Sequence, residues 1–216
     1  MKDDIRSVID EIVKLTFSRL QEVYDHRQES SLGNGQSYIG KTGCSRLVFP
    51  MYGKHRHNET RVSEQELRFA FVETFNMVCD EKHLDLFYSV ETPTSAGTYS
   101  GFSKGSPRSD DPEGRSAEFD LVIHDKFLRR IALIEFKANN SDFNSHLKDF
   151  LKLNNPSEGN ENVLRYFIEI VKSSDSGTIR SLRKKVASRG ISKFFCYDLS
   201  QGGEDITSKI LKYVQK

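Results

Sequence analysis

The stretch SAEFDLVIHDKFLRRIALIEFKANN, residues 116–140, contains two apolar runs into which acidic residues are set. The runs at residues 118–124 and 131–138 are rich in β-branched and aromatic residues, a composition that is typical of strands inside a sheet. The charged connection at residues 125–130 is short enough for an antiparallel hairpin. The stretch therefore predicts two neighbouring strands around which the rest of the chain folds.

Three charged side chains are expected to meet on one face of this hairpin. Side chains alternate along a strand, so Glu135 and Lys137 project from the same face of the second run. Asp120 stands in the first run, and a hairpin with matching registers places it beside both of them. Because a buried carboxylate loses its hydration, an acidic pair with an adjacent amine needs a chemical reason.

Metal-assisted hydrolysis of a phosphodiester bond uses this combination of side chains. Two carboxylates hold a hard cation such as Mg²⁺ or Mn²⁺, which prefers oxygen ligands and bridges to a substrate phosphate. The metal stabilises charge on the phosphate and lowers the pKa of a bound water, while the lysine orients that water or neutralises the developing charge. A Glu-x-Lys pair is also common on solvated strand faces, but the elements predicted around these strands favour a cleft.

Asp120 in one strand, followed by Glu135 and Lys137 in the next, resembles the motif of the PD-(D/E)XK nuclease superfamily, which has the restriction-endonuclease-like fold. The chain departs from the usual motif at Phe119, where the family commonly has proline. The resemblance implies Asp120 and Glu135 as metal ligands, Lys137 at the attacking water, and Mg²⁺ or Mn²⁺ as the cofactor. It also implies an α/β fold with an αβββαβ core over residues 63–172, in which helices flank a mixed central sheet.

A helix is predicted to begin at Ser63, because Ser63 and Glu66 form the Ser-x-x-Glu pattern of a capping box. In the resembling family, the helix before the first strand often brings another carboxylate to the metal. Glu66 is therefore the candidate for a further catalytic and metal-binding residue, with Glu73 as the second choice. The capping box also explains Glu66 without any metal.

Hydrophobic periodicity predicts further elements on both sides of this core. The predicted helices cover residues 3–27, 141–153, 178–188 and 204–214, and the predicted strands cover residues 46–51, 86–91, 163–171 and 193–198. We divide the chain into an N-terminal helix with a basic loop extension, residues 1–62, and a nuclease-like α/β domain, residues 63–216. The N-terminal helix packs either on the sheet domain or against a copy of itself, which leaves a homodimer open.

The chain has 32 basic and 31 acidic residues, a net charge of +1, so its overall field attracts nucleic acid only weakly. A nucleic-acid partner, with DNA favoured, would contact local basic groups. The candidates are Lys54, Arg56, Arg61, Arg115, Lys148, Arg183 and Lys184. Solvated surfaces carry similar basic runs, so both interpretations stay open.

Cysteine spacing and hydropathy indicate the compartment. The three cysteines, Cys44, Cys79 and Cys196, are far apart in the sequence, which argues against a disulfide framework or a structural zinc site. No apolar run approaches the roughly 20 residues of a membrane span. We therefore predict a cytoplasmic protein that does not enter a membrane.

The sequence thus predicts a divalent-metal-dependent nuclease that hydrolyses phosphodiester bonds in nucleic acid, with DNA favoured as the substrate. A non-catalytic nucleic-acid-binding or regulatory protein on the same fold is the alternative, because a fold does not determine a function. An RNA or nucleotide phosphodiesterase is a third interpretation.

Overall fold

A computed structural model of the chain describes residues 2–25, 30–31, 37–40, 45–50, 62–95, 117–139, 143–186, 193–200 and 202–212. The helices in these ranges are α1 (Lys2–Asp25), α2 (Glu64–Lys82), α3 (Phe143–Asn154), α4 (Ser176–Val186) and α5 (Thr207–Leu211). The strands are β1 (Ser30–Ser31), β2 (Ser37–Gly40), β3 (Val48–Pro50), β4 (Phe87–Pro93), β5 (Glu118–His124), β6 (Arg130–Ala138), β7 (Leu164–Val171), β8 (Lys193–Asp198) and β9 (Glu204–Asp205). A 3-10 turn at Pro156–Glu158 follows α3.

Six strands form one mixed sheet in the order β4-β5-β6-β7-β8-β9, and β1, β2 and β3 form a small separate sheet. β5 pairs antiparallel with both of its neighbours, β4 and β6, and β9 pairs antiparallel with β8, whereas the β6–β7 and β7–β8 pairs are parallel. Parallel strands need a crossover connection, which α3 provides between β6 and β7 and α4 provides between β7 and β8. The predicted α/β class, with a mixed sheet flanked by helices, is confirmed.

Helices cover both faces of the six-stranded sheet, and each face has its own apolar core. α1 and α2 pack on one face, the α1–α2 face, where β6 contributes Ile134 and Phe136. α3, α4 and α5 pack on the opposite face, the α3–α5 face, where β6 contributes Leu133. Because side chains alternate along β6, Glu135 and Lys137 project to the α3–α5 face together with Leu133.

The N-terminal helix α1 packs inside the chain. Its buried side chains lie in the same apolar cluster as those of α2, and they are Ile9, Ile12, Val13, Phe17, Leu20 and Val23. Phe17 also stacks on Tyr197 of β8, with the ring centroids 4.9 Å apart. Of the two predicted arrangements, the structure has α1 on the sheet domain, so its apolar side is already covered. No helix in the described ranges is long and apolar enough to cross a membrane.

The prediction of a terminal helix at residues 204–214 is wrong at its start. Glu204 and Asp205 instead pair with β8 as the short strand β9. The helix α5 begins at Thr207, whose backbone N–H donates to the Asp205 carboxylate at 2.9 Å. This local turn, together with pairing to β8, outweighs the helical periodicity of the preceding residues.

Candidate active site in the cleft between β5, β6 and α3

An open cleft of about 400 Å³ lies where β5 and β6 approach α2 and α3. Most of the side chains around it are charged. They are Arg68, Glu91, Ala117, Glu118, Phe119, Asp120, Glu135, Lys137, Lys148, Asp149 and Lys152. The three residues predicted from the strand pattern, Asp120, Glu135 and Lys137, therefore face one cavity.

Asp120 is held from two sides. Its Oδ2 accepts the backbone N–H of Phe136 at 2.8 Å, which fixes the carboxylate against β6. Its Oδ1 accepts a hydrogen bond from the guanidinium of Arg68 at 2.8 Å, in an ion pair between β5 and α2. Arg68 also lies 3.3 Å from the carboxylate of Glu91 on β4. One guanidinium thus joins two carboxylates of the cleft.

Glu135 is almost fully buried, with 1% of its surface exposed. The Nζ of Lys152, from α3, lies 2.6 Å from Glu135 Oε1. Burial raises the pKa of the Glu135 carboxyl well above its ordinary value, the Asp149 carboxylate adds to the rise, and the Lys152 ammonium opposes it. Lys152 is therefore the cation that compensates the charge of Glu135.

Lys137 is held by two carboxylates from two helices. Its Nζ lies 2.9 Å from Asp149 Oδ2 on α3 and 3.3 Å from Glu64 Oε1 on α2. Burial alone lowers the pKa of the Lys137 ammonium, but the carboxylates of Asp149 and Glu64 outweigh burial and raise this pKa above its ordinary value. Lys137 therefore carries a positive charge at neutral pH.

Asp149 links the two lysines of the cleft. Its Oδ1 lies 3.1 Å from Lys152 Nζ, while its Oδ2 contacts Lys137. Burial favours a higher pKa for the Asp149 carboxyl, but the ammonium groups of Lys152 and Lys137 outweigh burial and lower this pKa. A chain of alternating charges, which we call the charge chain, therefore runs Glu64, Lys137, Asp149, Lys152, Glu135.

The oxygen donors of Asp120 and Glu135 fit a hard divalent cation. Mg²⁺ is commonly held by one or two carboxylates, and waters and substrate phosphates complete its coordination. Within the described ranges, no group of three or more His, Cys, Asp or Glu side chains is arranged to hold a metal. Asp120 and Glu135 both line the open cleft, and each has oxygen donors of the kind that such a cation prefers.

The predicted further ligand, Glu66, lies outside the cleft lining. It is buried at the start of α2, where the Ser63 hydroxyl donates to its carboxylate. Ser63 is the residue before α2, as predicted, but its side chain makes no capping hydrogen bond to the helix backbone. The acidic residue of α2 that reaches Lys137 is Glu64. The second choice, Glu73, accepts a hydrogen bond from Ser45 at 2.9 Å.

The predicted nucleic-acid-binding residues fall into three groups. Lys148 is exposed on α3 and lines the cleft. Arg183 and Lys184 stand on α4 and do not line the cleft, and Arg183 donates to the backbone carbonyl of Lys209 at 2.8 Å. The remaining positions lie outside the residues that the structure describes, and they are Lys54, Arg56, Arg61 and Arg115.

A second buried pair of polar side chains links α3 to β7. The Nε2 of His146 on α3 lies 3.0 Å from Glu169 Oε2 on β7. Both side chains are buried, and neither lines the cleft. This pair therefore joins α3 to the sheet.

Four charged residues that the helices bring to the site were not predicted from the sequence, and they are Glu64, Arg68, Asp149 and Lys152. A signal was present in their spacing. Glu64 and Arg68 are one turn apart on α2, and Asp149 and Lys152 are one turn apart on α3. The two side chains of each pair therefore lie on the same side of their helix, next to its buried apolar side chains. When both helices pack on the sheet, all four charged side chains can reach one cleft.

Comparison of the chain with protein-family models gives no match, and comparison with curated proteins gives none either. The functional interpretation therefore depends on the fold and on the geometry of the cleft.

Proposed function

We propose that the chain is a divalent-metal-dependent nuclease that hydrolyses phosphodiester bonds in nucleic acid, with DNA as the favoured substrate. The observation that carries the proposal is the convergence of Asp120, Glu135 and Lys137 on one open cleft. On a solvated strand face these side chains would be exposed, whereas Glu135 and Lys137 are buried. Buried charged groups that line a cleft are characteristic of functional sites.

The order of elements supports a restriction-endonuclease-like core as part of this proposal. α2 precedes the three antiparallel strands β4, β5 and β6, and α3 then leads to the parallel strand β7. This is the αβββαβ order that the resemblance to the PD-(D/E)XK superfamily implies. Asp120 and Glu135 lie on the second and third strands of that order.

Asp120 and Glu135 are the residues that would hold the metal. When bound, a divalent cation stabilises charge on the phosphate and lowers the pKa of a water. The protein prepares both donors, because the Phe136 N–H holds Asp120 and burial limits the conformations of Glu135. The ammonium of Lys137, directed by Asp149 and Glu64, neutralises charge that develops on the phosphate.

The test is cleavage of labelled double-stranded and single-stranded DNA and RNA in the presence of Mg²⁺ or Mn²⁺. Asp120→Asn and Lys137→Met should each reduce cleavage by about 10³-fold, because each removes a group that stabilises charge in the transition state. Glu118→Gln is the matched control, since it neutralises an exposed carboxylate of the same cleft that is neither a proposed ligand nor part of the charge chain. Cleavage that survives in both Asp120→Asn and Lys137→Met contradicts the proposal.

A non-catalytic nucleic-acid-binding protein is the second candidate. The observation in its favour is that Arg68 already pairs with Asp120 and Lys152 already pairs with Glu135. Nucleic-acid binding by the folded wild type without cleavage, in either metal, would support this candidate. Preferential cleavage of RNA would instead support the RNA phosphodiesterase interpretation.

A further inference from the structure

Each of the two proposed metal ligands is paired with a cation from a neighbouring helix. The guanidinium of Arg68 on α2 donates to Asp120 Oδ1 at 2.8 Å. The ammonium of Lys152 on α3 lies 2.6 Å from Glu135 Oε1. Both cations line the same cleft as the two carboxylates. Two helices thus direct one positive charge each to the atoms that a metal would bind.

A metal bound to these carboxylates would lie close to the cations that already contact them. On Asp120, Oδ2 accepts the backbone N–H of Phe136 and Oδ1 accepts the Arg68 guanidinium, so a metal at this carboxylate would lie close to Arg68. Glu135 is nearly fully buried, and Lys152 Nζ lies 2.6 Å from its Oε1, so a metal at that oxygen would lie close to the ammonium. Like charges at such distances repel strongly where water is largely excluded.

Both cations have a second partner that can retain them. Arg68 lies 3.3 Å from the Glu91 carboxylate as well as contacting Asp120. Lys152 donates to the backbone carbonyl of Glu118 at 2.7 Å and lies 3.1 Å from Asp149. A small movement can therefore take either cation off its metal ligand while its charge stays paired in the protein.

We propose that Arg68 and Lys152 act as built-in counterions that compete with the divalent metal for Asp120 and Glu135. This inference rests on the proposed function, since it concerns the same two ligands. In the metal-free protein the two cations keep the carboxylates close together despite their mutual repulsion. Metal binding shifts Arg68 towards Glu91 and Lys152 towards Asp149, so the strength of these ion pairs sets the affinity of the site for the metal.

The test is calorimetric titration of Mn²⁺ into the full chain at neutral pH, in the absence of nucleic acid. Arg68→Met and Lys152→Met remove one competing cation each and keep an apolar stem of similar length. We expect each variant to bind Mn²⁺ about tenfold more tightly than the wild type, because a charge in direct contact with the ligand is removed.

Lys148→Met is the matched control. Lys148 stands on the same helix and lines the same cleft, but in the described residues it has no carboxylate within ion-pair distance. Lys148→Met changes the net charge of the cleft by the same amount as Arg68→Met or Lys152→Met, but it removes no cation from a proposed metal ligand. A gain in Mn²⁺ affinity of about twofold or less is expected here, because charges further from the ligand act through solvent and are screened.

Arg68→Met is the deciding variant if Lys152→Met proves unstable, because the Arg68 and Asp120 side chains are partly exposed and tolerate the change better. Lys152→Arg keeps a cation opposite Glu135 and should bind Mn²⁺ within about threefold of the wild type. Suppose that the wild type binds Mn²⁺, that this binding is lost when Asp120 is replaced by Asn, and that Arg68→Met binds no more tightly than the wild type. This result overturns the proposed competition between the cations and the metal, and it leaves the proposed function intact. Absence of Mn²⁺ binding in the wild type and in every variant overturns the metal site itself.

Discussion

The two faces of the six-stranded sheet bury different kinds of side chain. On the α1–α2 face, the buried residues from β6 and β7 are apolar or aromatic, as Ile134, Phe136 and Ile168 illustrate. On the α3–α5 face, apolar residues share the interior with charged ones, among them Glu135, which is paired with Lys152. Both faces hold helices against the same strands. An apolar interior is therefore sufficient to attach helices to this sheet. The His146–Glu169 pair adds a polar link between α3 and β7, but the buried charges that line the cleft are not needed for attachment.

The largest effect on stability is expected on the α3–α5 face. Lys152→Met leaves the Glu135 carboxyl buried without its cation, so the carboxyl keeps an uncompensated charge or takes up a proton. We expect the free energy of unfolding to fall by about 3–5 kcal/mol, as measured by urea denaturation.

The double variant Glu135→Gln with Lys152→Met separates the effect of the charges on stability from the effect of side-chain packing. It removes both charges and keeps side chains of similar volume, so it should recover most of the lost stability. If the double variant is as unstable as Lys152→Met alone, the loss of stability comes from the packing of the lysine side chain. The α3–α5 face would then be stabilised mainly by packing, as the α1–α2 face is.

Removal of an apolar side chain on the α1–α2 face should affect stability and leave the chemistry unchanged. Ile168 is fully buried on β7, and Ile168→Ala should lower the free energy of unfolding by about 3 kcal/mol because it removes buried surface and leaves a cavity. Cleavage per folded molecule should match the wild type, measured below the unfolding transition. A large loss of cleavage in the folded variant would show that the α1–α2 face also shapes the site.

Strand alternation made the central part of the site predictable. Glu135 and Lys137 are two residues apart, so they share a face whatever surrounds the strand. The short connection between the two runs then places Asp120 in the neighbouring strand, and the structure brings these three side chains to one cleft. The order of the main helices and strands followed from the same local periodicities. β9 was not predicted, since a strand of two residues has no periodicity to detect.

The helical residues of the site were harder to predict, because the rotation of a helix about its axis depends on how it packs against the whole sheet. From the sequence, Lys148 and Lys152 are equally polar positions four residues apart on α3, whereas the structure exposes Lys148 and buries Lys152. A lysine is rarely buried without a partner. The partners that allow its burial, Glu135 and Asp149, become visible only when the helix is placed on the sheet.

A smaller effect, on catalysis, is expected from Asp149 on the α3–α5 face, where we propose that it positions Lys137. Asp149→Asn keeps the shape of the side chain and removes the charge that joins Lys137 to Lys152. We expect kcat to fall about tenfold with KM changed less than threefold, because Lys137 loses its orientation while the shape of the cleft is kept.

The control for Asp149 is Asp149→Glu, which restores a carboxylate and should recover part of the lost kcat. A fall in stability with no change in kcat would assign Asp149 to folding alone. A fall in kcat without rescue by glutamate would mean that the exact reach of the carboxylate decides the orientation of Lys137.

The smallest effect on stability is expected from a solvent-exposed ion pair between α1 and α2. Lys82 Nζ of α2 lies 2.8 Å from Glu11 Oε2 of α1, and both side chains are more than 40% exposed. Lys82→Ala should change the free energy of unfolding by less than about 0.5 kcal/mol, because water already solvates both charges. At about 1 M salt, where the screening length is about 3 Å, the change should vanish.

The exposed pair and the buried pair have the same chemistry and differ in burial. Each is a lysine with a glutamate, Lys82 with Glu11 at the surface and Lys152 with Glu135 in the interior. If both lysine substitutions destabilise the protein equally, burial is not what distinguishes the charges of the cleft, and the contrast between the two faces loses its physical basis.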